Sequence, residues 1–261
     1  MSTELATDQA VLFESRDDGI AVITLNRPAT RNCLSAEVRE GLRAAWDRFE
    51  RDPALRVGIV TGAGEKAFCA GGDLKAMVDS GMQVPPRDFI PVPYDNVHLS
   101  KPTIAAVNGA AFAGGWLIAQ SCDLCVASTS ATFAVTEVRV GRSSPWATPL
   151  IHMIPQRVMM EILLTGKPIS ARRAYEIGLV NRLAEPEDLM SEALGLAAEI
   201  LDGAPLSVRV ARETVMLATE MGRSAALEAA RHASEVCYRS SDAQEGPRAF
   251  SEKRPPHWQG R

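Results

Sequence analysis

The sequence predicts an α/β core followed by a helical tail. Three observations carry this. Short β-rich runs recur through the first two-thirds of the chain, helical patterns lie between them, and the last third is helical almost throughout. A chain of 261 residues can bury a sizeable core as one large domain or as one with an appendage. The division expected is a core over 1–186 and a helical region over 187–261.

The elements follow in order. Runs 11–15 and 20–25 are strands, separated by Arg16-Asp17-Asp18-Gly19, a hairpin signal. Ser35 can cap an amphipathic helix reaching about Arg51, because Val38, Leu42, Ala45, Trp46 and Phe49 fall at helical spacing. Run 57–61 is a buried strand ending in Gly-Ala-Gly, and Asp73 can cap a helix to about Ser80. Segment 81–102 holds prolines at 85, 86, 91, 93 and 102, and a long loop of this kind is usually functional or disordered. Run 104–107 is the next strand, followed by a small-residue helix over 114–121 and a strand over 124–127. Helical patterns at 156–165 and 171–177 precede a strand over 180–183. Helices are then expected over 187–201, 207–220, 224–239 and 242–252, with Ser207, Ser224 and Ser241 near three of the starts.

Composition narrows the function. A formal charge of −4 with no Lys/Arg cluster gives no reason to expect nucleic acid or a membrane surface as partner. An anionic ligand stays open, since a few cations and backbone N–H groups suffice to hold phosphates. No apolar run approaches spanning length. Residues 1–13 lack the basic start and apolar stretch of a signal peptide. Five cysteines, an odd number, fit a reducing compartment better than a disulfide framework. The expected location is cytoplasmic.

Two strand ends stand out: 66–75 with Ala70-Gly71-Gly72-Asp73, and 106–117 with Ala113-Gly114-Gly115. In each, a strand runs into Ala/Gly residues that open a helix. Helix starts carry unpaired N–H groups and a partial positive charge, and glycine lets a substrate approach the backbone. Two such turns facing each other would clamp one oxygen as an oxyanion hole. The same glycines would equally serve tight turns and close packing.

Phe68-Cys69-Ala70-Gly71-Gly72-Asp73-Leu74 and Lys101-Pro102-Thr103-Ile104-Ala105-Ala106-Val107-Asn108-Gly109-Ala110-Ala111 resemble the two signature stretches of the enoyl-CoA hydratase/isomerase (crotonase) superfamily. The likeness continues through Asn26-Arg27-Pro28, Val60-Thr61-Gly62, Cys122-Asp123, Leu164-Thr165-Gly166, Gly178-Leu179-Val180, Glu245 and Lys253-Arg254, so it covers nearly the whole chain in one order. The resemblance implies a crotonase-like spiral of ββα units with a helical C-terminal trimerisation region, assembled as a homotrimer or homohexamer. It implies an acyl-CoA thioester as partner, with coenzyme A part of the substrate and no further cofactor, as in fatty acid metabolism. Carried over by position, Gly72 and Gly114 supply the oxyanion N–H groups, and Ala70 lines the substrate site. Arg27 and Arg31 stand where relatives meet the CoA nucleotide, and Phe250 and Lys253 where they reach the CoA of a neighbouring subunit. Each of the three cations would serve as well as a solvated surface charge.

Hydratases resembling this chain use two glutamates on one water. The first follows the oxyanion glycine by three residues, which a helix places on the same face. Here that position holds Leu117. The second is Glu137, in Phe133-Ala134-Val135-Thr136-Glu137-Val138. The segment after it, 141–149, departs from the Pro and glycine-rich run of relatives, and Trp146 should add bulk to a reshaped pocket. Hydration requires activating water and protonating carbon, and leucine does neither. One carboxylate can instead move a proton between two carbons of an enolisable thioester. Isomerases resembling this family keep only the second glutamate, so Glu137 is the expected general acid/base of an isomerase. Two alternatives stay open: a hydratase drawing its second acid from Asp88 or Asp95, and a catalytically silent acyl-CoA-binding protein.

Other signals are set aside. Gly62-x-Gly64-x-x-Ala67 lacks the continuing helix of a dinucleotide site. Cys122-x-x-Cys125 has no second pair or nearby His, so a buried structural role is expected and no metal site. His98, His152, His232 and His257 are scattered, and His98 is read as a surface loop residue.

Overall fold

The computed structural model describes residues 9–261. Stretch 1–8, part of the segment in which no signal peptide was expected, lies outside them. Strands β1 (Val11–Ser15) and β2 (Ile20–Leu25) form the expected antiparallel hairpin. Gly19 takes a left-handed φ of 86° at its turn. Helix α1 (Ala36–Arg51) follows, capped by the Ser35 hydroxyl, which accepts from the Val38 N–H at 3.4 Å. Then come β3 (Val57–Gly62), β4 (Ala67–Cys69) and the short α2 (Leu74–Asp79). Asp73 caps α2, as expected, through the Ala76 N–H. Beyond the Pro-rich segment lie β5 (Thr103–Val107), β6 (Ala110–Phe112), α3 (Gly114–Gln120), β7 (Leu124–Ser128) and β8 (Thr132–Ala134). Helix α4 (Gln156–Thr165), β9 (Ile169–Ser170), α5 (Ala171–Glu176) and β10 (Arg182–Ala184) complete the mixed part. The chain ends in α6 (Leu189–Leu201), α7 (Pro205–Glu220), α8 (Arg223–Arg239) and α9 (Asp242–Glu252).

The larger sheet runs β1-β2-β3-β5-β7-β10, parallel except for the first pair. Its two faces are read from the period-two alternation of strand side chains. Ala21, Ile23, Leu25, Val60, Ala105 and Val107 face a core with Leu42, Trp46 and Phe49 of α1. Their neighbours Ile20, Val22, Val57, Ile59, Ile104 and Ala106 face Leu189, Ala193, Leu196 and Ala197 of α6. Both faces are covered, which is why β3 is buried along its whole length.

A second sheet, β4-β6-β8-β9, was not expected from the sequence. Its strands β4, β6 and β8 are parallel neighbours three residues long. They are too short to show periodicity.

Some boundaries differ from expectation. The strand expected over 180–183 begins only at Arg182. The Leu179 and Val180 N–H groups donate to the Ala174 carbonyl, closing the end of α5. Helix α7 opens two residues before Ser207 with Pro205 in its first turn. Helix α8 opens with Arg223, not Ser224. Ser241 does precede α9, but its hydroxyl donates to the Arg261 carbonyl at 2.6 Å, and it is the Ser240 hydroxyl that accepts from the Ala243 N–H at 3.2 Å. Segment 81–102 is a loop apart from an isolated Pro93–Val97 bridge. Among the described residues, no helix is long and apolar enough to cross a membrane.

Candidate active site

The second sheet explains why distant stretches of sequence meet. Strands β4, β6 and β8 lie side by side and point the same way, so their carboxyl ends emerge together. From β4 comes Ala70-Gly71-Gly72, from β6 Ala113-Gly114, and from β8 the segment reaching Glu137. A crevice at the carboxyl ends of parallel strands is where α/β sheets bind ligands.

The two glycine turns pack directly on one another. Gly71 has φ 95°, a conformation that disfavours any side chain. A methyl group there would stand 2.9 Å from Ala113 Cβ and 3.4 Å from Gly114 N. A methyl on Gly114 would meet Leu34 Cδ1 at 2.6 Å and Ile90 Cδ1 at 2.9 Å. The Gly114 N–H, at the first residue of α3, has no acceptor within its own helix. Ala113, just before it, is held at φ 50°, a strained value for alanine. Its N–H donates to the Ala134 carbonyl at 2.9 Å, which ties the β6 turn to the end of β8.

Glu137 opens a 3-10 turn over Glu137–Val140 and is half-buried. The Trp146 indole Nε1 donates to its Oε1 at 3.0 Å. Its Oε2 is buried and has no partner among the described residues. Burial pushes the carboxyl above the ordinary glutamate range, while its own backbone N–H and the Trp146 indole pull it back down. Trp146 sits in a second 3-10 stretch, Pro145–His152, and the Gln120 amide donates to its carbonyl at 2.8 Å. Trp146 therefore brings a hydrogen-bond donor as well as the expected bulk.

Leu117 is half-buried on α3 and packs against the main core. Arg27 and Arg31 are exposed on the turn after β2, with the Arg27 guanidinium 3.7 Å from Glu37. The Arg31 carbonyl accepts from the Ala70 N–H at 3.0 Å, and the Leu34 N–H donates to Gly71 at 2.9 Å. So Arg27, Arg31, Ala70 and the glycines share one hydrogen-bonded unit. Buried Asn32 holds it: Oδ1 accepts from the Arg27 N–H, and Nδ2 donates to the Ala63 and Ala67 carbonyls. Phe250, 87% exposed, and Lys253 stand at the end of α9.

Asp88 and Asp95 are exposed, and Asp95 accepts two bonds from Arg87 at 3.1 Å. His98 is exposed. Cys122 and Cys125 are free, buried thiols, pushed up by burial, Cys125 to about 12. Among the described residues, no cluster of three or more His, Cys, Asp or Glu could hold a metal. Sequence reasoning passed over Gln120 and Asn32. Gln120 carried a signal, as the one polar side chain in the otherwise apolar Gly114–Gln120 helix.

Two glycine turns in contact, an N–H without a helical acceptor at the start of α3, and a half-buried carboxylate beyond the ends of adjacent parallel strands are groups of the kind that stabilise and protonate an enolate-type anion. The family model for enoyl-CoA hydratase/isomerase matches residues 15–261. An (E)-benzylidenesuccinyl-CoA hydratase of Thauera aromatica is 38% identical over 253 residues, covering 92% of this chain and 96% of that protein. A carnitinyl-CoA dehydratase of Salmonella typhi is 38% identical over 264 residues, covering 96% and 98%. Among solved structures, an enoyl-CoA hydratase from Mycobacterium tuberculosis H37Rv superposes with a TM-score of 0.89 at 36% identity, covering 97% of this chain and all of that one. A probable enoyl-CoA hydratase/isomerase from Mycobacterium abscessus gives 0.86 at 39% identity, covering 97% and 99%. The chain belongs to the enoyl-CoA hydratase/isomerase (crotonase) family of enzymes, which act on acyl-CoA thioesters, and it has the crotonase fold.

Proposed function

We propose that this enzyme isomerises the double bond of an unsaturated acyl-CoA, with Glu137 as sole general acid/base and the Gly72 and Gly114 N–H groups as oxyanion donors. The observation that carries the reading is the buried, unpartnered Oε2 of Glu137 in a chain where Leu117 holds the other acid position. The thioester oxygen sits between the two N–H groups. Glu137 removes a proton from one carbon, and the electrons of that C–H bond pass into the enolate. The carboxyl then delivers a proton, the one taken or one exchanged with solvent, to the carbon at the other end of the allylic system, which regenerates the carboxylate. One oxyanion donor is worth about 3 kcal/mol of barrier. Ile90, Leu117 and Trp146 make an apolar surround for the acyl chain, and Ala70 borders it. Arg27 and Arg31 hold the CoA nucleotide, with Phe250 and Lys253 reaching the CoA of a neighbouring subunit in a trimer or hexamer. Coenzyme A enters with the substrate, and the place of work is the cytoplasm.

The names of the Thauera hydratase and the Salmonella dehydratase favour a second reading, hydration or dehydration of an enoyl-CoA. It needs a second acid beside Glu137, and Asp95 is already engaged by Arg87. A silent binding protein is the weakest reading, since a buried carboxylate oxygen without a partner is costly unless it is used. The test is a panel of 2-enoyl- and 3-enoyl-CoA thioesters in ordinary and heavy water. Isomerisation with α or γ exchange and no net hydration supports the proposal. Efficient formation of 3-hydroxyacyl-CoA overturns it.

A further inference from the structure

Glu137 does not stand alone. Its Oε1 is taken by the Trp146 indole N–H at 3.0 Å, leaving Oε2 as the buried oxygen without a partner. Trp146 is in turn held through its own carbonyl by the Gln120 amide at 2.8 Å. Gln120 is the last residue of α3, and Gly114 is the first. One short helix thus carries an expected oxyanion donor at one end and the support of the carboxylate at the other. Between Glu137 and Trp146 the chain reverses at Gly141, φ 68°, where the Arg142 N–H donates to the Glu137 carbonyl.

We propose that Trp146 is a positioning residue for Glu137: its indole N–H fixes Oε1, so that Oε2 alone carries the proton, and Gln120 sets the placement of both relative to Gly114. The inference rests on Glu137 being the acid/base of the proposed reaction. A carboxylate free to rotate would present either oxygen, with its hydrogen-bonding direction spread over many orientations. A donor on one oxygen removes that freedom and stabilises the ionised form.

Charged neighbours do not supply this control. Arg139 donates to the Thr165 and Gly166 carbonyls, and Arg142 to the Met82 carbonyl. On the elements packed around the site, Arg157 and Glu161 of α4 and His152 are exposed, and α3 contains no titratable residue. The indole is therefore the main side-chain influence on the carboxylate besides burial itself.

The test compares Trp146→Phe, and a Trp146→benzothienylalanine variant that keeps the shape without the N–H, with wild type and Glu137→Gln. Turnover is measured across pH on an acyl-CoA that the wild type converts. Both Trp146 variants should lose kcat by about tenfold or more, the scale of a hydrogen bond to a charged group, and the benzothienylalanine variant, which keeps the shape against the acyl chain, should do so with KM little changed. The acid limb of kcat/KM should move to higher pH, because the ionised carboxylate has lost a stabilising donor. Trp146→His, which keeps a ring N–H, should move it part of the way back. If Glu137→Gln is inactive and the benzothienylalanine variant keeps the wild-type kcat and acid limb, the positioning role is wrong and the acid/base reading stands. If Glu137→Gln is active, the acid/base reading itself fails and the positioning role falls with it.

Discussion

The Arg212 Nε lies 2.8 Å from Asp123 Oδ1, joining α7 to the residue that precedes β7. The pair is largely buried, with side chains 12% and 16% exposed. Asp123 Oδ2 accepts from the Thr103 N–H and hydroxyl, and the Tyr94 hydroxyl donates to Oδ1. Arg212 also donates to the Leu99 carbonyl at 2.6 Å and stacks 4.2 Å from the centre of the Tyr94 ring. Tyr94 has φ 68°, a conformation that costs about 1 kcal/mol in a side chain of this size and needs such support. The long loop over the site is therefore pinned at Tyr94 and Leu99 to the C-terminal helices.

Removing one member of that pair leaves a buried charge without its partner. Asp123→Ala should cost about 3–5 kcal/mol of stability, read by urea unfolding. The double variant Asp123→Leu/Arg212→Met should recover much of the loss. Equal losses in the single and double variants would mean that the ion pair is not what holds the loop.

Glu137→Gln should lower kcat by orders of magnitude and leave acyl-CoA affinity nearly unchanged, since only an interaction made in the transition state is lost. Single-turnover kinetics beside calorimetric titration would separate the two effects.

The same substitution should stabilise the fold at neutral pH. Folding raises the Glu137 value, so the stability of the protonated form is complete below the ordinary carboxylate range and lost as pH rises through the folded value. Glutamine never acquires the charge. The Tm of Glu137→Gln should exceed wild type at about pH 7–8, with the difference closing toward about pH 4.

Gly71→Ala should act on the oxyanion hole without touching the carboxylate. Its methyl would press on Ala113 Cβ and the Phe112 carbonyl at 2.9 Å, from a backbone that disfavours a side chain. Spreading the two turns should cost turnover about 100-fold, the scale of one lost donor. A kcat within a fewfold of wild type would show that the turns do not act together.

Val215, Leu227, Val236, Tyr238 and Phe250 stand exposed on α7, α8 and α9. Light scattering should give a trimer or hexamer, and Leu227→Glu with Val236→Glu should shift the mass toward monomer. A monomer mass for the wild type across dilution would end the assembly proposal.

The hairpin at Arg16–Gly19, the Ser35 cap, the amphipathic α1 and the two glycine turns were legible because each is written in local spacing. The order in which those turns meet was not. It depends on β4, β6 and β8, whose three-residue lengths carry no periodic signal. Glu137 and Trp146 each stand out in the sequence, yet the bond between them depends on a reversal at Gly141 and on Gln120 across the fold. Pattern reading also placed helix starts at Ser207 and Ser224, whereas Pro205 opens α7 two residues earlier and Gly222 takes the cap position before Arg223 of α8.

Helix α3 works as a spacer of fixed length. One residue inserted between Gly114 and Gln120 would turn the far end by about 100° and carry the amide away from the Trp146 carbonyl. The loop over 81–102 is instead held at separate points, among them the Met82, Asp88 and Leu99 carbonyls, the Tyr94 hydroxyl and Ser100. Changes of substrate are accordingly expected to accumulate as insertions and deletions in that loop, while α3 tolerates no change in its length.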